Sequence, residues 1–164
     1  MHNASAGNSC GDRLKNMAGW GQRDSSLRSA VIYIHQGFPV GNTPNRNYRN
    51  QKTTAVAIIQ HPDCSWECVY AVSSNLTDPE VRRRANELGY RRIPSKSGVH
   101  AEQIIINNLP VGATLIAVAP CRLACTDETT RLEISCSTAI AQQGQSQGFP
   151  VRLVEPAGGE NRCV

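Results

Sequence analysis

The chain has 164 residues, of which 40% are hydrophobic and 5% aromatic, and its formal net charge is +4. This length suits a single domain with a core of its own. No apolar run approaches the ~18 residues of a membrane-spanning helix, so we expect no membrane association. Residues 1–30 lack the apolar core of a signal peptide, and the N-terminus could be a cut from a longer polypeptide.

Seven cysteines, an odd number, occur in the chain. An odd count argues against a closed disulfide framework and favours reduced thiols in a cytosol-like setting. Cys64 and Cys68 follow His61 with a spacing that could bind a second metal ion. No carboxylate pairs with this group in a His-x-Glu pattern, so a local disulfide or two free thiols is the expected state.

Residues 1–52 form a basic lead that is rich in Gly, Asn, Ser and Arg. Within it, only residues 29–35 are predicted to be ordered, as a short strand or a helical turn. Gly, Pro and Asn punctuate residues 37–50, which predicts a loop. Tyr48 lies between arginines in this loop. Such an aromatic residue can stack a nucleic-acid base, or it can simply hold the loop against the body.

Two antiparallel strands are predicted next. Residues 53–60 and 68–74 are rich in β-branched and apolar side chains, which is typical of core strands. Pro62 and Asp63 favour a turn between them.

A helix and a basic loop follow the hairpin. A capping box and a proline predict a helix that begins near Thr77 and stops at Gly89. Residues 90–97 then form a basic loop, which contains Arg91 and Arg92.

The chemically richest stretch carries His100 and Glu102 at the start of one predicted helix and Cys121 and Cys125 at the start of another. An unbroken apolar run between them, residues 113–119, predicts an interior strand. Residues four apart share one face of a helix, so both thiols can reach one ion. His100 and Glu102 converge on that ion only if His100 lies at the edge of the first turn, because residues two apart on an ideal helix point about 200° away from each other.

The last third of the chain is predicted to end the domain. Residues 126–143 fit a helix, with a short strand at 130–135 as the alternative. Residues 149–155 predict an edge strand because Pro150 cannot donate to a ladder. Residues 156–164 predict a frayed tail.

One imidazole and two thiolates form a three-ligand zinc set, which leaves the fourth tetrahedral position open to water. Glu102 is then available to move protons. The order of His-Ala-Glu, strand and Pro-Cys resembles the zinc-dependent cytidine deaminase-like superfamily, whose signature is His-x-Glu followed by Pro-Cys-x-x-Cys. The resemblance covers residues 53–154. Here Cys121 and Cys125 are one residue further apart than in the common signature, a spacing in which bacterial toxin deaminases vary.

The resemblance implies an α/β fold, namely an α/β/α sandwich with a mixed sheet of four to five strands and the two zinc-ligand helices on one face. It implies a deaminase domain over residues 53–155, with residues 1–52 packed on or flanking it. It implies zinc (Zn²⁺) on His100, Cys121 and Cys125, and it implies Glu102 as the proton carrier. Asn75 matches the position at which the superfamily contacts the sugar or base of the substrate.

The basic residues before and around the proposed site favour a polyanionic substrate, although a solvated helix face explains such a run equally well. We expect Arg91 and Arg92 to contact the substrate together with Asn75 and Tyr48. In the resembled bacterial toxins, the deaminase is a domain of a secreted effector that acts on cytosine in the target-cell cytoplasm, and a cognate immunity protein blocks it in the producer. Single-stranded DNA is the first choice of substrate because an unstacked base costs least to bring into a pocket.

Other substrates and one other class of protein stay open. Double-stranded DNA, RNA, free nucleotides and adenine as the target base all fit the motif. A non-catalytic, zinc-stabilised nucleic-acid-binding module would instead use Arg82–Arg84 and Arg91–Arg92 for phosphates. That module would need a fourth protein ligand, such as Cys64, Cys68 or Cys136.

Overall fold

The structure, a computed structural model, describes residues 7–40, 49–73, 78–94, 99–126, 128 and 134–156. In these residues the helices are α1 (Ser9–Lys15), α2 (Trp20–His35), α3 (Pro79–Leu88), α4 (Ala101–Asn107) and α5 (Cys136–Gln147). The strands are β1 (Thr54–Gln60), β2 (Trp66–Val72), β3 (Arg91–Arg92), β4 (Thr114–Pro120) and β5 (Arg152–Leu153). Within this part of the chain, no helix combines the length and the apolar character that a bilayer span requires.

The strands form one mixed sheet with the order β3-β2-β1-β4-β5. β1 is antiparallel to β2 and to β4, whereas β2 and β3 are parallel, as are β4 and β5. The predicted hairpin, the interior position of β4 and the edge position of β5 are therefore confirmed. β1 lies at the centre, and its apolar residues are buried because both faces of the sheet are covered.

Side chains of β1 alternate between the two faces, as the pleat of a strand requires. Val56 and Ile58 belong to a core shared with α1, α2 and α3. Ala57 and Ile59 belong to a second core shared with α4 and α5. The fold is thus the α/β/α sandwich that was predicted, and α4 and α5 lie together on one face.

The prediction that residues 29–35 alone are ordered within the basic lead is wrong. Residues 20–35 form a sixteen-residue helix, and the seven-residue α1 precedes it. Leu27, Val31 and Ile34 are fully or almost fully buried and share one face of α2, which packs on β1 and β4. The core therefore extends into the basic lead.

The expectation of reduced thiols is wrong for Cys10 and Cys68, which form a disulfide that joins α1 to β2, whereas Cys64, Cys121, Cys125 and Cys136 are reduced thiols. The Asn8 side chain reinforces this connection by donating to the carbonyl oxygens of Cys68 and Gly89 and by accepting from the Cys68 N–H. At Gly11 the helix approaches β2 so closely that a Cβ atom would lie 1.8 Å from the Trp66 carbonyl oxygen. Since Cys68 is oxidised, it is not available for the alternative metal site.

The prediction for α3 is confirmed in part, and the helix predicted to begin at Cys121, after β4, is absent from the described residues. α3 ends at Gly89, whose φ of 85° is left-handed, as predicted. Its N-cap is Asp78, whose carboxylate accepts from the N–H groups of Glu80 and Val81, while Thr77 lies outside the described residues. No helix begins at Cys121, because its N–H donates to the Thr54 carbonyl oxygen (2.9 Å) and keeps the chain in the β ladder.

Candidate metal centre

His100 reaches the site from the N-cap position of α4. Its backbone is extended (φ −69°, ψ 151°), so it lies just outside the helix, and the next residue, Ala101, donates its N–H to the Thr53 side chain. This position at the edge of the first turn is the one that the sequence analysis required. His100 and Glu102 consequently border the same cavity, although residues two apart within a helix would diverge.

Cys136 reaches the site as the first residue of α5. The preceding Ser135 caps this helix by accepting from the Thr138 N–H at 3.1 Å. A thiolate is favoured at this position because the N–H groups and the positive end of the helix dipole point toward it.

Cys125 lies in the loop before α5 and is held against the start of that helix. Its carbonyl oxygen accepts from the Ser137 N–H at 2.9 Å, and its sulfur accepts from the Cys136 N–H at 3.1 Å. The two sulfurs are thereby brought to one point, although the two residues are separated by ten others in the chain.

These three residues form a buried group that can hold a metal ion. The ligand atoms of His100, Cys125 and Cys136 all lie within 4.8 Å of one another. The His100 Nδ1 atom is 3.3 Å from the Cys136 Sγ and 3.6 Å from the Cys125 Sγ. Bond lengths and tetrahedral angles at zinc place a nitrogen and a sulfur ligand about 3.6 Å apart, so the observed spacing fits such an ion.

Cys121, which the sequence analysis named as a ligand, is outside this group. Its sulfur accepts from the Thr54 N–H at 3.3 Å. Burial raises the pKa of the Cys121 thiol to about 11, so the thiol is protonated near neutral pH. The group contains Cys136 where Cys121 was expected.

Glu102 lies in the first turn of α4 and is 3% exposed. It borders a small cavity together with His100, Thr53, Pro120, Cys121, Arg122 and Leu123. About 10 Å³ is open to the centre of a water molecule, which is close to the space that one water needs. A carboxylate and a metal-binding imidazole therefore share a water-sized space.

The predicted substrate contacts fall into two groups. Asn75 and Tyr48 lie outside the described residues. Arg91 makes an ion pair with the buried Glu67, which also bonds His61. Burial raises the pKa of the Glu67 carboxyl, but the hydrogen bonds from Arg91 and His61 outweigh burial and hold that pKa below its ordinary value.

Arg91 pairs with a carboxylate that lies toward the other end of β1 from the cavity. Its partner Glu67 is opposite Ile59 in the β1–β2 ladder, whereas the cavity adjoins Thr54 at the other end of β1. Five residue steps along β1, about 17 Å, separate Ile59 from Thr54. Arg92 is in β3 beside Tyr70. Substrate contacts by Asn75, Tyr48, Arg91 and Arg92 stay predictions.

Cys136 was named from the sequence only as a possible fourth ligand of the binding-module alternative, because no short motif links it to the Pro-Cys pair. One local signal was available, namely the pattern Ser135-Cys136-Ser137-Thr138, which is an N-cap followed by the first turn of a helix. This pattern would have placed a thiol at a helix N-terminus, the position that the analysis assigned to Cys121.

Comparison with protein-family models, curated proteins and solved structures gives no match. The fold and the site therefore define the class of protein directly: an α/β/α sandwich with a buried His-Cys-Cys group that can bind a metal ion. The group borders a water-sized cavity that also contains a carboxylate.

Proposed function

We propose that the protein is a zinc-dependent hydrolase that deaminates cytosine to uracil in nucleic acid, and that its preferred substrate is single-stranded DNA. The observation that carries this proposal is that Glu102 and His100 border one water-sized cavity while His100 also belongs to the metal-binding group. A carboxylate placed beside a metal-activated water is the arrangement that hydrolytic deamination needs.

The donor set favours zinc and an open coordination position. One imidazole and two thiolates suit zinc, and within the described residues the group has three members. When bound, zinc acts as a Lewis acid that brings the pKa of water close to neutrality. We propose His100, Cys125 and Cys136 as its ligands.

Glu102 moves the protons of the reaction. Its carboxylate takes a proton from the attacking water, and the oxygen adds to C4 of the cytosine ring. Glu102 delivers that proton to the ring nitrogen, and it then transfers the second proton of the water to the departing amino group. The products are a C4 carbonyl and ammonia, so one water is consumed for each amine released.

The cavity has room for the attacking water but not for the base. The base has to approach from outside the water-sized space, where Arg122 and Leu123 form part of the lining. A base that is already unstacked reaches such a position at the lowest cost, which favours a single strand.

The biological setting is a further part of the proposal. On its resemblance to bacterial toxin deaminases, we propose that the chain is an effector domain that is secreted, acts in the target-cell cytoplasm and is blocked by an immunity protein in the producer. The Cys10–Cys68 disulfide supports secretion, because stable disulfides form in oxidising compartments and are rare in cytosolic proteins.

The binding-module alternative is weaker. Arg83 and Arg84 pair with Glu80, and Arg91 pairs with Glu67, so these guanidinium groups already have carboxylate partners. In the part of the chain that the structure describes, the metal group gains no fourth protein ligand that would close it.

A substrate panel tests the proposal. Zinc-loaded protein is incubated with cytosine-containing single-stranded DNA, the matched duplex, RNA of the same sequence and cytidine monophosphate, and ammonia release is measured. We expect the single strand to react fastest. Preference for the duplex, for RNA or for the mononucleotide would replace single-stranded DNA as the substrate, and no ammonia from any member would contradict deamination.

A further inference from the structure

Arg122 connects the cavity to the segment that leads into β1. It borders the cavity, its Nη1 donates to the Lys52 carbonyl oxygen, and its Nη2 donates to the Arg49 carbonyl oxygen at 3.0 Å. Thr53, the residue after Lys52, borders the same cavity. The backbone of Arg49 and Lys52 is thus held against Arg122 at the end of the sheet where Glu102 borders the cavity.

The Arg49 side chain is fixed in turn by the end of α2. Its Nε donates to the Phe38 carbonyl oxygen at 3.1 Å, and its Nη2 donates to the Gln36 carbonyl oxygen at 2.8 Å. Carbonyl oxygens are neutral, so these bonds orient the guanidinium groups of Arg49 and Arg122 without cancelling their charge.

No acidic side chain in the described ranges forms an ion pair with Arg49, Lys52 or Arg122. His35 lies near this group, with its Nδ1 2.9 Å from the Thr54 hydroxyl. Burial, with the nearby charges of Arg122 and Arg49, lowers the pKa of His35 to about 4. Arg49, Lys52 and Arg122 therefore contribute positive charge that no described carboxylate pairs with at this end of the sheet.

We propose that Arg49, Lys52 and Arg122, here called the cationic rim, bind the phosphates of a single-stranded nucleic acid whose base enters beside Glu102. Three cations in one rim suit several phosphates of a strand better than the single phosphate of a mononucleotide. The choice of target base rests on the proposed function, whereas binding of the strand does not.

Binding is measured without turnover, in protein that carries Glu102→Gln. The probe is a fluorescein-labelled single-stranded DNA 12-mer, and anisotropy gives the affinity between 50 and 200 mM salt. For single strands, each phosphate neutralised contributes about 0.7 to the slope of log K against log salt. Lys52→Gln and Arg122→Gln should each reduce the magnitude of this negative slope by about 0.7 and weaken binding about fivefold at 0.1 M salt.

Two controls separate the rim from general attraction and from structural anchoring. Arg82→Gln removes an exposed charge of α3 and should leave the slope unchanged. Arg122→Lys keeps the charge but loses the two-pronged bond to the backbone, and it should keep the slope of the parent. Thermal unfolding of each variant shows that the fold is intact.

Several results would overturn the assignment. Equal losses in Arg82→Gln and Lys52→Gln would mean that net charge alone drives binding. A reduced slope in Arg122→Lys would mean that Arg122 anchors the backbone and does not bind phosphate. If cytidine monophosphate competes as well as the 12-mer at the same phosphate concentration, the rim binds one phosphate and not a strand. If the rim variants behave as expected but the wild type releases no ammonia, strand binding by the rim is supported and the proposed deaminase activity is contradicted.

Discussion

Exchange of single cysteines for serine separates the metal group seen in the structure from the one that the sequence predicted. Cys136→Ser should lose zinc, because its sulfur lies 3.3 Å from the His100 Nδ1 within the metal-binding group. Cys121→Ser should keep zinc, because its sulfur accepts from the Thr54 N–H and is outside that group.

The size of the expected effect follows from the free energy of zinc binding. Four-ligand zinc sites bind with about 10–16 kcal/mol, or roughly 3 kcal/mol for each protein ligand. Loss of one ligand should therefore weaken zinc binding by about two powers of ten. The helix that begins at Cys136 should persist, because its cap is the neighbouring Ser135.

The assay is a competition for zinc with a chromogenic chelator, combined with the zinc content of each purified variant. The two serine variants are matched in chemistry and differ only in position, so each serves as the control for the other. Zinc loss in Cys121→Ser with retention in Cys136→Ser would refute the geometric reasoning and restore the predicted pair of thiols.

Three further predictions concern catalysis, the disulfide and a buried histidine. Glu102→Gln should abolish ammonia release but retain one zinc per chain, as measured by metal analysis; substantial residual activity would remove Glu102 from the reaction. Reduction of the Cys10–Cys68 disulfide, which closes a separation of 58 residues, should lower the free energy of unfolding by about 4 kcal/mol in urea titrations, and an unchanged midpoint would contradict this. The folded-state pKa of His35 is about 4, below the ordinary 6.5. The contribution of neutral His35 to the free energy of unfolding is therefore fully present above pH 6.5 and is lost as the pH falls toward 4. The wild type should lose about 2 kcal/mol between pH 7 and pH 5 relative to His35→Gln, and parallel pH profiles of the two proteins would refute this assignment.

Elements with strong local signals were predictable from the sequence. β1 was predicted because residues 53–60 form an apolar, β-branched run, and α3 was predicted because a capping box and Pro79 mark its start and Gly89 marks its end. The position of His100 at the edge of α4 could be inferred because two residues had to converge on one cavity.

Features that depend on distant contacts were not predictable in this way. α2 was missed because residues 20–28 are mostly polar and because residues 29–35 alone have the appearance of a strand or a helical turn. The disulfide joins Cys10 to a residue of β2, and only the fold brings the two together. The thiol of Cys136 reaches the metal group because α4 packs against α5. No local sequence pattern predicts that packing.

The most direct test of the account is formation of uracil in a cytosine-containing single-stranded DNA. Purified, zinc-loaded protein is incubated with the oligonucleotide, and treatment with uracil glycosylase and alkali converts each uracil into a strand break. We expect breaks with the wild type and none with Glu102→Gln, whose carboxamide cannot carry the proton. Equal cleavage by both proteins, or no cleavage by a wild type with full zinc content, would contradict the account.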